Sequence, residues 1–196
     1  MVQHSVDNLF CHNDKHFKEQ IVLCHTSRPL NYYKNSLIHR LDGDYRKIPT
    51  YIISNDGETI QNFDENYYSD FIGVEYLDKK VIVICLENLG WLKYNQLNNK
   101  YANWIGDIYK GDVYQKRWRD HTYWAAYSDK QIKATAKLIK RLCTELNISL
   151  KLIGHNTRID GVEDFKGIVT RSNYNELWTD LSPSFDFEKL KQYIDE

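Results

Sequence analysis

Two histidines and one aspartate carry the clearest chemical suggestion in the sequence. His25 ends the apolar run Ile21-Val22-Leu23-Cys24, and His155 leaves the run at residues 151–153 through Gly154. Asp180 arrives just before the turn at Ser182-Pro183. Two imidazoles and a carboxylate on loop edges are the donor set of an open zinc site, which keeps its fourth position for water. Ligands at the ends of neighbouring strands can converge, because strands lie about 4.8 Å apart. A lone histidine at a strand end is more often a hydrogen-bonded structural group, so the suggestion rests on the three residues together. Cys24 alternates to the strand face opposite His25 and is a reserve ligand.

Glu87 closes the run Val81-Ile82-Val83-Ile84-Cys85-Leu86. A carboxylate there is either a salt-bridged strand cap or a catalytic base, whose pKa burial would raise toward neutrality. The remaining histidines are weaker candidates. His4, His12 and His16 lie in a polar N-terminal segment, His39 in a predicted helix and His121 in an aromatic-rich stretch. Cys11 with His12 and His16 has no second ligand pair and is read as structural.

Those residues need elements to hold them. Ser128 with Gln131 three residues on is a helix N-terminus signature. Ile132, Ala136, Ile139, Cys143 and Leu146 then repeat at helical steps, and Asn147 ends the stripe. Residues 149–153 read as the strand that follows. Further strands are predicted at residues 21–24, 51–54 and 81–86, and helices at 30–40 and 187–194. Asn55-Asp56-Gly57 is a tight turn that pairs residues 51–54 with 59–62. Between residues 88 and 127 Trp and Tyr are interleaved with charged groups and no period dominates, which predicts an inserted, partly extended lobe. The fold class expected is α/β: one domain over residues 1–196 with a central mixed β-sheet flanked by helices, plus the aromatic-rich insertion.

Composition narrows the function. The chain has 196 residues, 42% hydrophobic and 27% charged, enough for one domain with its own core. A net charge of −1 with no Lys/Arg block lacks the footprint of a nucleic-acid binder. Aromatics reach 14%, which suits contact with sugar or peptide as well as core packing. The 4 cysteines form no CxxC pair and read as free buried thiols. The N-terminus has no basic start or apolar h-region, so no Sec signal is expected, and no window is apolar enough for a membrane span.

With those residues in view, the chain resembles the zinc-dependent N-acetylmuramoyl-L-alanine amidases of the type-2 family, related to phage endolysins of that activity and to peptidoglycan-recognition proteins. The matching pieces run in order over roughly residues 20–190: the strand to His25-Thr26-Ser27, Ile48-Pro49 through Gly57, Ile84-Cys85-Leu86-Glu87-Asn88, the helix from Ser128, Ile153-Gly154-His155-Asn156, and Thr179-Asp180 through Pro183 to Phe185-Asp186. The resemblance implies Zn2+ on His25, His155 and Asp180, and an acid/base role for Glu87. Many relatives carry a Lys two residues before the third ligand; Trp178 stands there, and Arg171 is the candidate substitute oxyanion donor. Some relatives carry a Tyr where this chain has Pro49. Some place the metal His where Cys24 stands, but the His-Thr-Ser spacing favours His25. Trp91, Trp118 and Asn88 are the expected substrate contacts, and peptidoglycan or muropeptides the expected partner. The implied reaction cuts the amide between N-acetylmuramic acid and L-alanine. The expected setting is an endolysin: a monomer made in the cytoplasm that reaches the wall after release or delivery. The alternative is a peptidoglycan-binding protein of the same fold that has lost the chemistry.

Overall fold

The computed structural model describes the backbone of residues 2–4 and all of residues 9–196. Along the chain come strand β1 (Val2–His4), β2 (Gln20–His25), helix α1 (Leu30–His39), β3 (Tyr51–Ile53), β4 (Thr59–Gln61), the short helix α2 (Glu75–Asp78) and β5 (Val81–Leu86). Five strands follow: β6 (Trp91–Asn95), β7 (Lys100–Ala102), β8 (Ile108–Tyr109), β9 (Val113–Trp118) and β10 (His121–Ala125). Then come α3 (Asp129–Leu146), β11 (Gly167–Thr170), α4 (Arg171–Tyr174) and α5 (Phe187–Asp195).

The central sheet has the order β1-β4-β3-β5-β2-β11. β3, β5, β2 and β11 run parallel, and β4 turns back antiparallel to β3 through the Asn55-Asp56-Gly57 turn. Because side chains alternate along a strand, each buried strand feeds two cores. Ile21, Leu23, Ile82 and Ile84 pack under α3 and α5 with Ile132, Ile139 and Leu190. Val22, Cys24, Val83 and Cys85 pack on the other side with Leu37 of α1, Phe71 and Val169. The apolar runs at β2 and β5 are unbroken because both faces are covered.

Helix α3 begins as expected: the Ser128 hydroxyl accepts from the Gln131 N–H at 3.1 Å. The Gln131 side chain does not reach back to the cap. It donates to the Ile53 and Glu87 carbonyls at 3.0 Å each, and so ties the helix to the C-terminal ends of β3 and β5. Asn147 ends the helix in the left-handed conformation, φ 56°.

The inserted lobe takes a more regular form than expected, and one expectation needs correction. The aromatic stretch is a regular antiparallel sheet of five strands in the order β8-β7-β6-β10-β9, with Trp124 fully buried. Its short strands and mixed burial hide the period. Residues 149–153 do not form a strand: only Leu152 bridges, parallel to Ile168. β11 takes the place beside β2, so this segment is left outside it with Leu150 48% exposed.

Candidate active site

The parallel strands β2, β5 and β11 all end at one edge of the sheet, and the candidate residues follow those ends. His25 is the last residue of β2 and only 5% exposed. Its parity with Ile21 and Leu23 sends the ring to the α3 side, where Nδ1 lies 2.9 Å from the Tyr127 hydroxyl. Gly90 closes over the other nitrogen: a Cβ there would stand 3.0 Å from Nε2. Burial pushes the His25 pKa down to about 4, the Asp180 charge opposing the shift and the Arg171 charge adding to it.

Asp180 is 1% exposed and comes to the same edge. Its Oδ2 accepts from the His25 backbone N–H at 3.4 Å. Arg171 follows β11 directly and grips the same carboxylate: Nε lies 2.8 Å from Oδ2 and 3.1 Å from Oδ1, and Nη2 3.0 Å from Oδ1. The Asp180 carbonyl accepts from the Ser172 N–H at 2.9 Å and from the Ser172 hydroxyl. The guanidinium sits 4.9 Å from the Trp178 ring and 5.6 Å from Phe71. The neighbouring carboxylate holds the Arg171 pKa above its ordinary value although burial works against it.

His155 is not part of this group. It is exposed, and its Nδ1 accepts from the Thr157 hydroxyl at 2.8 Å. Its chain bridges outside β11 at Leu152 and then returns toward the loop after Asp180, where the Asn156 amide donates to the Leu181 carbonyl at 2.8 Å and the Asn173 amide to the His155 carbonyl at 3.0 Å, while the His155 ring itself stays in its own exposed turn. Among the described residues no group of three or more His, Cys, Asp or Glu could hold a metal ion. The residues therefore do not fit the zinc that the resemblance implies: His155 is exposed and bonded within its own loop, both Asp180 oxygens are engaged by Arg171, and the His25 Nδ1 lies against the Tyr127 hydroxyl. Cys24, the reserve ligand, points to the α1 side, its thiol 3.7 Å from the Ile84 carbonyl.

Glu87 continues β5 by one residue, its N–H donating to the Ile53 carbonyl at 2.8 Å. Its carboxylate leaves on the α1 side and accepts the Leu30 N–H at the start of α1 and the Asn55 N–H of the hairpin turn, each at 3.0 Å. It also lines a cleft of about 160 Å³ with Pro29, Asn88, Tyr109 and Ala126. A larger hollow of about 550 Å³ near Lys18, Glu19 and Asn147 opens at the opposite edge and holds only His16 of the candidate residues, paired there with Asp14. Arg171, against Phe71, is on the same side as Glu87. Its Nη1 makes no hydrogen bond among the described residues, and the side chain is 25% exposed.

The expected substrate contacts divide. Asn88 is 3% exposed and acts as a clamp: its amide donates to the Ala125 and Ala126 carbonyls at 3.2 and 3.1 Å, and its oxygen accepts the Gly90 N–H at 2.8 Å. It is committed to holding the second sheet, with both amide N–H groups used and the side chain buried. Trp91 stacks on His121 at 4.3 Å, and Trp118 leans on Trp124 at 5.5 Å with Arg119 at 4.4 Å. Trp104, which the sequence reading did not single out, is 43% exposed and donates to the Ser27 carbonyl at 2.8 Å, two residues beyond His25. His12 pairs with Asp70 at 2.8 Å and stacks on Tyr68, as a structural histidine would, while the His4 side chain lies outside the described residues.

The family model described as N-acetylmuramoyl-L-alanine amidase matches residues 3–167. The chain belongs to that family. The match takes in His25, Glu87 and His155 and stops before Arg171 and Asp180. The family is one of peptidoglycan amide hydrolases, and the mixed sheet with flanking helices is its fold. Among solved structures, the amidase AmiD from E. coli, in complex with the substrate anhydro-N-acetylmuramic acid-L-Ala-D-gamma-Glu-L-Lys, matches with a TM-score of 0.60 at 16% identity over 90% of this chain. The chain spans 57% of that protein's length. The amidase LysC from Clostridium intestinale matches with a TM-score of 0.60 at 13% identity, over 100% of this chain and 97% of its own. AmpD matches with a TM-score of 0.57 at 15% identity, over 98% and 94%. Identities this low speak to the fold. No curated protein matches the chain by sequence.

Proposed function

We propose that the chain hydrolyses the amide between N-acetylmuramic acid and L-alanine in peptidoglycan, using Glu87 as the base and Arg171 as the fixed positive charge. The observation that carries this reading is that both groups lie on the α1 side of one strand edge, inside a chain of the amidase family. Glu87 takes a proton from water as the oxygen attacks the lactyl carbonyl. Arg171 stands across β2 from Glu87, two strand places away, and its free Nη1 is the cation assigned to the developing oxyanion. The C–N bond then breaks and the proton passes from Glu87 to the amine of L-alanine. Zinc enters no step, because its expected donors do not converge. The setting we attach to the activity is that of an endolysin acting on the wall after release or delivery.

Binding without cleavage is the second reading. It is favoured by the two backbone N–H groups that already occupy the Glu87 carboxylate. Purified sacculi separate the two. Under the first reading the wild-type chain frees new N-terminal alanine, and Glu87→Gln, which keeps an acceptor oxygen, lowers the rate by about 100-fold or more while still sedimenting with sacculi. Sedimentation with no new amino termini decides for binding alone. The endolysin setting is tested on wall-bearing cells, whose turbidity falls on addition of the chain; unchanged turbidity alongside active cleavage of isolated sacculi contradicts it.

A further inference from the structure

Four observations meet at the end of β11. First, the residue that follows this strand, next to the end of β2 in the sheet, is Arg171, while the segment bearing His155 is one place further out. Second, both oxygens of the buried Asp180 carboxylate accept from that guanidinium, and one also takes the His25 N–H. Third, the guanidinium has its own seat, between the Trp178 ring at 4.9 Å and the Phe71 ring at 5.6 Å. Fourth, its carboxylate is fixed from behind, because Ser172, the next residue, holds the Asp180 carbonyl through both N–H and hydroxyl.

Trp178 is the position where a Lys is expected by resemblance. A Lys there would set a second cation against Arg171. The indole offers an aromatic face instead, which a guanidinium prefers. Arg171 and Trp178 are thus two parts of one arrangement, and together with Asp180 they leave a metal no free carboxylate and no charge balance.

We infer that Arg171 is the resident cation of this site, held by Asp180 and covered by Trp178 in the place where the family resemblance puts a zinc ion, and that the site binds no zinc. The inference concerns the cation alone, so it stands or falls separately from cleavage of the amide.

The test is the zinc content of the full-length chain after loading with zinc chloride and dialysis, read by elemental mass spectrometry beside Asp180→Asn. The expected result is less than about a tenth of an equivalent in wild type, with a melting temperature unmoved by zinc or EDTA. About one equivalent in wild type that is lost in Asp180→Asn overturns the inference. Zinc that survives Asp180→Asn sits elsewhere and leaves it standing. Should Asp180→Asn not fold, zinc-dependent NMR shifts of the His25 ring in wild type decide: movement of those resonances at one equivalent overturns the inference, and their constancy upholds it.

Discussion

Asp180 shows how the site is held together at the scale of single residues. A carboxylate this deeply buried needs a cation or a proton, and truncating one partner of such a pair costs about 3–5 kcal/mol. Arg171→Ala is therefore expected to lower stability by about that much in urea unfolding, with Arg171→Lys in between because a single ammonium cannot span both oxygens. A loss under about 0.5 kcal/mol for Arg171→Ala would mean that the pair contributes no more than a surface ion pair does. His25 makes a second prediction. Its folded pKa of about 4 lies below the unfolded value of 6.5, so the unfolded chain binds the extra proton. The stability this residue contributes is complete above pH 6.5 and is lost as pH falls toward 4. His25→Asn should flatten that part of the stability-versus-pH curve by an amount on the order of 3 kcal/mol. An unchanged slope between variant and wild type would show that His25 titrates normally.

Among the elements, those with strong local signals were legible in the sequence. Helix α3 announced itself by its cap and stripe, and β2 and β5 by runs that only a doubly covered strand can bury. β11 was not: Gly167-Ile168-Val169-Thr170 is short, and Ser149-Leu150-Lys151-Leu152-Ile153 offers the same apolar signal nearby. Which of two such segments pairs with β2 is decided by tertiary packing, where Ile168 and Val169 are fully buried and Leu150 is not. That choice moves Arg171 to the edge and takes His155 away from it. The structure brings His25, Asp180 and Glu87 to that edge together with Arg171, each named from the sequence, and leaves His155 out of the group. The joint between the sheets gives the prediction at this scale. Gly90 has φ 72° and its missing Cβ would meet the His25 ring. Gly90→Ala is expected to destabilise by about 1–2 kcal/mol from backbone conformation alone, and by more through the ring contact. A neutral effect in thermal unfolding would show that the β6 end is not packed on His25 as described.

In the whole molecule, one sheet supplies the edge and the other covers it. Asn88 pins the start of the second sheet, Trp104 reaches back to Ser27, and Arg119 donates to the Trp178 carbonyl. The aromatics of residues 88–127 are thus largely spent on this second layer, whose short strands leave no dominant period in the sequence. Releasing the clamp with Asn88→Ala takes the partner from the Gly90 N–H and the Ala126 carbonyl, while Ala125 keeps the Ser184 hydroxyl, and should cost about 1–3 kcal/mol in unfolding measurements; no effect would mean that the two sheets are held by other contacts. Family membership brings the expectation of zinc, and our inference seats Arg171 in its stead at the end of β11. The most direct measurement is zinc bound per chain in the loaded, dialysed wild-type protein. Less than about a tenth of an equivalent is expected, and about one equivalent that disappears with Asp180→Asn would show a zinc ion where we seat Arg171.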